Sequence, residues 1–193
     1  MPKDFLASVP PQHHVTILGF NDRIYTVARA SAEPAARDKA IDALESWGMT
    51  ALYDAVGEGL RLLAPQTGRK AILVFTDGED QGSHTSLAEI QRELETGDAT
   101  LYMVGLGRGT SAEALKTLMV QMSEPTGGRM LFADNLGKLH TAFEELLVEL
   151  TNQYLLGYES TNTARDGSWR EIKVSVDGYN RVRARKGYRA PER

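Results

Sequence analysis

The sequence predicts an α/β fold: a doubly wound, mostly parallel sheet flanked by helices, followed by an antiparallel three-strand extension. Three observations predict it. Strand-like and helix-like segments alternate from Ala71 to Thr151, the signature of right-handed βαβ units on a parallel sheet. The uncharged run Ala71-Ile72-Leu73-Val74-Phe75-Thr76 stops abruptly at Asp77-Gly78-Glu79-Asp80, which reads as a strand buried on both faces. Beyond Gln153 the alternation ceases. Runs at Tyr154 to Glu159, Trp169 to Val176 and Arg181 to Lys186 are split by Arg165-Asp166-Gly167 and Asp177-Gly178, the turn chemistry of an antiparallel meander. The expected division is residues 1–152 for the α/β domain and 153–193 for the β extension.

Each element has its own justification. Phe5, Leu6 and Val9 have the spacing of the last turns of a helix, and Pro10-Pro11 forbids its continuation. Val15 to Phe20 and Tyr25 to Ala28 are strands joined by the short Asn21-Asp22 turn, hence an antiparallel hairpin. Pro34 opens a helix to about Ser46 that buries Ala40, Ile41 and Leu44. A second helix starts at Thr50 with Leu52, Ala55, Val56, Leu60 and Leu63 on one side, and Pro65 and Gly68 end it. Ser86-Leu87-Ala88-Glu89 and Thr110-Ser111-Ala112-Glu113 both have the form of a capping box. The helix after the first carries Ile90 and Leu94; the helix after the second buries Leu115, Leu118, Met119 and Met122. Between them Ala99 to Gly105 is a strand. Gly127-Gly128 is a turn, Met130 to Phe132 a short strand, and Asn135 starts a long helix with Leu136, Leu139, Phe143, Leu146, Leu147 and Leu150 at helical spacing.

Composition narrows the function classes. At 193 residues, with 41% hydrophobic and 25% charged side chains, the chain has the make-up of a globular protein with a real core. It has no cysteine, which removes disulfides and thiolate metal sites. No apolar run has membrane-spanning length, and no export signal is legible at Met1; the compartment stays open. The net charge of −4 is uneven, with nine Lys/Arg against five Asp/Glu from Gln153 onward. That excess reads as the solvated face of strands, and with no aromatic platform beside it no nucleic-acid partner is expected. Gly-x-x-x-x-Gly-Lys, Asp-x-Asp and Gly-x-Ser-x-Gly patterns are all absent, so the expectation is a binding module and not an enzyme. The catalytic alternative is a Mg²⁺-dependent hydrolase using Asp77 and Glu79.

The candidate site residues follow from position. Asp77 stands at the carboxyl end of its strand, where open α/β sheets bind ligands; it holds a hard cation or forms an Asx-type turn before Gly78. Thr50 precedes an apolar-periodic helix, so from spacing alone it reads as a plain N-cap. Glu79 and Asp80 are solvated loop acids or supply additional charge. Asp54, one helical turn from Thr50, orients the loop or faces water. His13, His14, His84 and His140 lack ligand spacing, and Met119, Met122 and Met130 read as core. Trp47, beside the Thr50 loop, is expected to be buried.

Gly48-Met49-Thr50-Ala51-Leu52-Tyr53-Asp54-Ala55 and Val74-Phe75-Thr76-Asp77-Gly78 resemble the second and third parts of the metal-ion-dependent adhesion site of von Willebrand factor type A domains. The tail, from Gln153-Tyr154-Leu155-Leu156-Gly157-Tyr158 to Arg183-Ala184-Arg185-Lys186-Gly187-Tyr188, resembles the C-terminal extension of a related bacterial family abundant in Acidobacteria. The resemblance implies a Mg²⁺ or Mn²⁺ ion held by Thr50 through its hydroxyl and by Asp77 directly or through water. One coordination position is left open for an acidic side chain of a partner protein, so that the cation bridges the two proteins. Such ions prefer oxygen ligands at about 2.1 Å and keep several waters.

One part of the pattern has no counterpart. The Asp-x-Ser-x-Ser motif, which ends the family's first strand, matches nothing between Met1 and Pro11, and Phe5 to Pro11 resembles the end of the helix that follows that strand. Three expectations follow: the strand is encoded upstream of Met1, or a second chain or exchanged copy supplies it by strand addition, or the sheet closes differently and the domain is a metal-free scaffold or oligomerisation module.

Overall fold

The computed structural model describes residues 2–44, 48–106 and 112–192. In chain order the elements are α1 (Pro2–Ser8), β1 (Ile17–Phe20), β2 (Ile24–Ala28), α2 (Pro34–Asp42), α3 (Leu52–Leu63), β3 (Ala71–Thr76), α4 (Leu87–Thr96), β4 (Thr100–Leu106), α5 (Ala112–Ser123), a 3-10 turn at Glu124–Thr126, β5 (Met130–Ala133), α6 (Leu136–Thr151), β6 (Trp169–Glu171) and β7 (Gly187–Arg189). β3, β4 and β5 form a parallel sheet in that order, with Val74 opposite Met103 and Gly105 opposite Phe132. β1 and β2 form a separate antiparallel hairpin.

Period-two alternation along β4 divides the core in two. Leu101 and Met103 face Leu52 and Val56 of α3, Ile90 and Leu94 of α4, and Leu115, Met119 and Met122 of α5. Tyr102 and Val104 face the other way, toward Ala133 and Leu146 of α6. Helices therefore cover both faces of the sheet, as the alternating pattern requires. Phe5 of α1 stacks on Phe143 of α6 (centroids 4.7 Å apart), which in turn packs on Phe75 of β3 (5.0 Å).

The strand buried on both faces is β4. In β3 only Val74 and Thr76 are buried, and Ala71 is exposed. The uncharged run made β3 look central, but among the described residues it lies at the edge of its three-stranded sheet. α2 also differs from expectation. It ends at Asp42 and contains no buried residue, Ala40 and Ile41 are half-buried, and Leu44 is exposed. Its packing is against the edge of the β1–β2 hairpin, a surface too small to cover a longer apolar face.

Two helix starts form as their sequences dictate. Ser86 and Glu89 cap α4 reciprocally, the Glu89 carboxylate accepting from the Ser86 amide at 2.7 Å, and the Asn135 side chain accepts from the Lys138 amide at the start of α6. The second capping box begins at Thr110 and Ser111, outside the described residues, as does Trp47.

The C-terminal extension holds two paired strands instead of three, Trp169 opposite Arg189 and Glu171 opposite Gly187. Tyr154 to Glu159 is not in a ladder, and the last strand lies one residue beyond the Arg181 to Lys186 run. The basic residues of this extension are not simply a solvated face. Arg183 pairs with Glu149 (2.6 Å), Arg189 with Glu95 (2.5 Å), and Lys186 with Glu124. The Lys186 amide donates to the Pro125 carbonyl at 3.1 Å. Gly127, with φ of 83°, allows this approach, because a Cβ there would fall 2.6 Å from the Arg185 nitrogen. Arg185 donates to the Leu94 carbonyl at the end of α4 and, at 2.9 Å, to the Gly187 carbonyl. Its burial lowers the guanidinium's proton affinity, against which Asp98 and Glu95 act. Arg185→Ala leaves the Leu94 carbonyl short of a partner and is expected to cost about 1–3 kcal/mol. Limited proteolysis checks the location of the effect: cleavage between Gln153 and Arg189 accelerates before any cleavage in α3 or β4.

Candidate functional site

The carboxyl edge of β3 and the N-terminus of α3 meet in one polar cluster, built from two loops that sequence spacing separates by about one βα unit. The first is Gly48 to Ala51. Its position is fixed by the Ala51 amide, which donates to the Asn21 carbonyl at 2.7 Å, and by the Thr50 carbonyl, which accepts from the Gln81 and Gly82 amides at 2.8 and 3.2 Å. The second is Asp77 to Thr85. There the Thr76 hydroxyl donates to the Gly78 carbonyl at 2.9 Å and accepts from the Gly78 amide at 3.3 Å, closing a tight turn directly under Asp77.

Thr50 is not the N-cap of α3. Ala51 holds that position and has no capping side chain. The first turn of the helix is capped from the other loop: the Asp80 carboxylate accepts from the Tyr53 amide at 3.2 Å, and the Ser83 hydroxyl accepts from the Asp54 amide at 3.1 Å. Ser83 in turn donates to Asp80 at 2.5 Å. Asp54 returns the interaction, its two carboxylate oxygens accepting from the His84 amide at 2.8 Å and the Thr85 amide at 2.9 Å. The second loop thus satisfies orphan amides of the α3 start, and Asp54 satisfies amides of that loop in return. Burial pushes the Asp54 carboxyl up, but hydrogen bonds from the Thr85 side chain, the His84 and Thr85 amides and the His84 ring outweigh it and hold the group at about 2.

The clamp sorts the acids of this edge. Asp54 orients the loop, the first of its two sequence readings. Asp80 is a structural cap, which neither reading of Glu79 and Asp80 foresaw. The sequence signal for the clamp was the run of small polar residues Asp80, Ser83 and Thr85 in the second loop. Asp77 is exposed and has no hydrogen-bond or ion-pair partner among the described residues. The Thr50 hydroxyl is close by, 3.8 Å from where a Cβ on Gly78 would lie. The fold therefore brings Thr50 and the Asp77–Gly78 turn to one place while the carboxylates of Asp54 and Asp80 are engaged.

The Thr50 hydroxyl and the Asp77 carboxylate are the right kind of donors for a hard cation that keeps most of its water shell. They are too few for a protein cage: among the described residues no group of three or more His, Asp or Glu is placed to hold an ion.

The structure is similar to a von Willebrand factor type A protein from Catenulispora acidiphila, with TM-score 0.61 at 18% identity over 76% of this chain and 35% of that one. The chain thus spans about a third of the length of that relative. It is similar to the conserved hypothetical protein BatB from Bacteroides thetaiotaomicron (TM-score 0.57, 17% identity, 78% of this chain and 85% of that one). The SpRpn10 VWA domain is also similar, with TM-score 0.58 and 11% identity over 81% of this chain and 86% of that one. Identities this low speak for the fold alone. No curated protein sequence matches the chain. The profile of the von Willebrand factor type A domain matches residues 3–145, which spans every element from α1 into α6. The chain belongs to the von Willebrand factor type A domain family.

Proposed function

We propose that the chain is a protein-binding domain that docks an acidic side chain of its partner at the edge carrying Thr50 and Asp77. The observation that carries this reading is the sorting of the carboxylates: Asp54 and Asp80 are occupied by backbone donors, and Asp77 is left exposed beside a free-standing hydroxyl. A bound Mg²⁺ or Mn²⁺ would supply the positive charge that lets two carboxylates share one site. Thr50 and Asp77 would hold it. The clamp between the two loops keeps these side chains in place before the partner arrives, which limits the ordering cost of binding. Turnover is not part of this role, and hydrolysis of a phosphate ester in Mg²⁺ would count against it.

Calorimetric titration with Mg²⁺ and Mn²⁺ tests it. The expected result is saturable binding that Asp77→Ala weakens by at least about tenfold and Thr50→Ala weakens less. No heat from either ion, or binding that is unchanged in Asp77→Ala, overturns the cation-bridged reading.

A further inference from the structure

The chain has three Asp-Gly pairs, Asp77-Gly78, Asp166-Gly167 and Asp177-Gly178, and the fold gives each a different environment. Such a pair can react with itself. The glycine amide nitrogen attacks the aspartate side-chain carboxyl carbon, a C–N bond forms, and the carboxyl hydroxyl leaves with the amide proton as water. Water then reopens the five-membered succinimide at either carbonyl. Attack at the side-chain carbonyl restores aspartate; attack at the main-chain carbonyl leaves an isoaspartyl residue, whose backbone runs through its β-carbon. Glycine favours ring closure because it has no Cβ in the way of the attack. The step needs a neutral carboxyl, a free amide and a peptide plane that can turn.

At Asp77-Gly78 the nucleophile is held. The Gly78 amide donates to the Thr76 hydroxyl at 3.3 Å, that hydroxyl donates to the Gly78 carbonyl at 2.9 Å, and Thr76 is buried. At Asp166-Gly167 the carboxyl is held instead. One Asp166 oxygen accepts from the Ser168 amide at 3.0 Å and from Arg170 at 2.9 Å. The Ser168 amide and hydroxyl, and then Arg170, keep this carboxyl below the usual aspartate range and so in its charged form. The peptide plane is also confined: Gly167 is buried, and a Cβ on it would fall 2.6 Å from a Glu192 carboxylate oxygen.

Asp177-Gly178 has none of these restraints. It is the exposed tip of a turn closed by one hydrogen bond, from the Tyr179 amide to the Val176 carbonyl at 3.0 Å. Gly178 has φ of 80°, as at the third residue of a type II turn, and nothing lies within 4 Å of where its Cβ would be. Among the described residues neither the Asp177 carboxylate nor the Gly178 amide has a hydrogen-bond partner.

We propose that Asp177 is a site of spontaneous isomerisation, closing on the Gly178 nitrogen and reopening to isoaspartate, while the fold protects Asp77 and Asp166 from the same reaction. The extra main-chain carbon falls at a tip that packs on nothing. It disrupts the Val176–Tyr179 bridge and leaves the later anchors, Arg183 on Glu149 and Lys186 on Glu124, in place. The result is a covalent mark on a folded domain, an exposed carboxylate of the kind that isoaspartyl-directed methyltransferases esterify. This inference does not depend on a cation at Asp77.

Ageing the intact chain in neutral buffer at physiological temperature tests it, with peptide mapping by endoproteinase Asp-N, which does not cut at isoaspartate. Isoaspartate is expected at position 177 at least about tenfold faster than at 77 or 166, the rate equivalent of one hydrogen bond that must break first. In denaturing urea the three rates should converge, because the same dipeptide then meets the same solvent. Asp177→Glu keeps the charge but would need a six-membered ring, so it should end the reaction at that position without changing the melting temperature. No isoaspartate at 177, equal rates at the three pairs in the folded chain, or a ranking that urea leaves unchanged overturns the proposal.

Discussion

Gly128→Ala is expected to abolish the native fold or to cost more than about 4 kcal/mol. Gly128 sits in the turn between the 3-10 turn and β5, against the buried start of β4. A Cβ there would fall 1.9 Å from the Leu101 carbonyl oxygen and 2.7 Å from its carbon. Leu101 is completely buried and its backbone is committed, its amide donating to the Thr126 hydroxyl at 2.9 Å. That hydroxyl donates to the Ser123 carbonyl at 2.6 Å and accepts from the Gly128 amide at 3.3 Å. Neither side can retreat: moving Leu101 disturbs the β3–β4 ladder, and moving Gly128 breaks the hydroxyl network. Close-packed interiors do not absorb such an overlap by small shifts. Gly178→Ala is the control. Its φ is 80° but nothing lies within 4 Å, so only the left-handed backbone conformation is penalised, at about 1–2 kcal/mol. Urea denaturation of the two variants side by side gives the comparison, and equal losses would show that the tight contact at Gly128 is not what requires glycine.

Asp54→Asn is expected to lower stability by about 2–3 kcal/mol at neutral pH. The substitution keeps the shape but replaces one acceptor oxygen with a donor facing the His84 and Thr85 amides. The pH dependence separates this from a generic packing effect. The folded carboxyl stands at about 2, below an ordinary aspartate. A group lowered on folding contributes stability that is fully present above its unfolded value, about 3.9. That contribution is lost as pH falls through the folded one. The wild type therefore loses about 2 kcal/mol of its advantage over Asp54→Asn between pH 5 and pH 2, and the two stability curves converge in acid. Parallel curves would remove the carboxylate from the account. Asp77→Asn, on the same edge but without backbone donors, should change stability by less than about 0.5 kcal/mol, so any loss of binding in Asp77 variants is separable from folding.

How far the sequence could be read depended on whether an element is stabilised locally. α4 was legible from Ser86 to Leu94 because its cap, its first-turn acid and its apolar spacing all lie within ten residues and agree. α6 was legible for the same reason from Asn135, whose side chain caps it. β4 and α5 were legible because Leu101 to Val104 and Leu115 to Met122 have unambiguous periodicity and nowhere to go but the core. α2 was overextended because apolar spacing at Ala40, Ile41 and Leu44 specifies a face without saying whether anything stands opposite it. The tail misled in a different way. Its β-propensity at Tyr154 to Tyr158 is real, but a strand exists only where it pairs with another, and among the described residues that segment is in no ladder.

At the site, residue type and order marked out Thr50 and Asp77, and the family likeness gave them a chemical reading. The role of each acid was another matter. Asp54, Asp77 and Asp80 are the same residue in the sequence, and only the tertiary structure distinguishes them, by placing backbone amides against two and none against the third. The sequence by itself determined the order of the elements, the two-faced core and the loops at the sheet's carboxyl edge, because these follow from periodicity and caps within short windows. Tertiary structure alone decided that the start of α3 is capped from Asp80 and Ser83, and that the basic tail answers Glu95, Glu124 and Glu149. Those outcomes depend on hydrogen bonds and ion pairs between residues tens of positions apart, which carry no local signature.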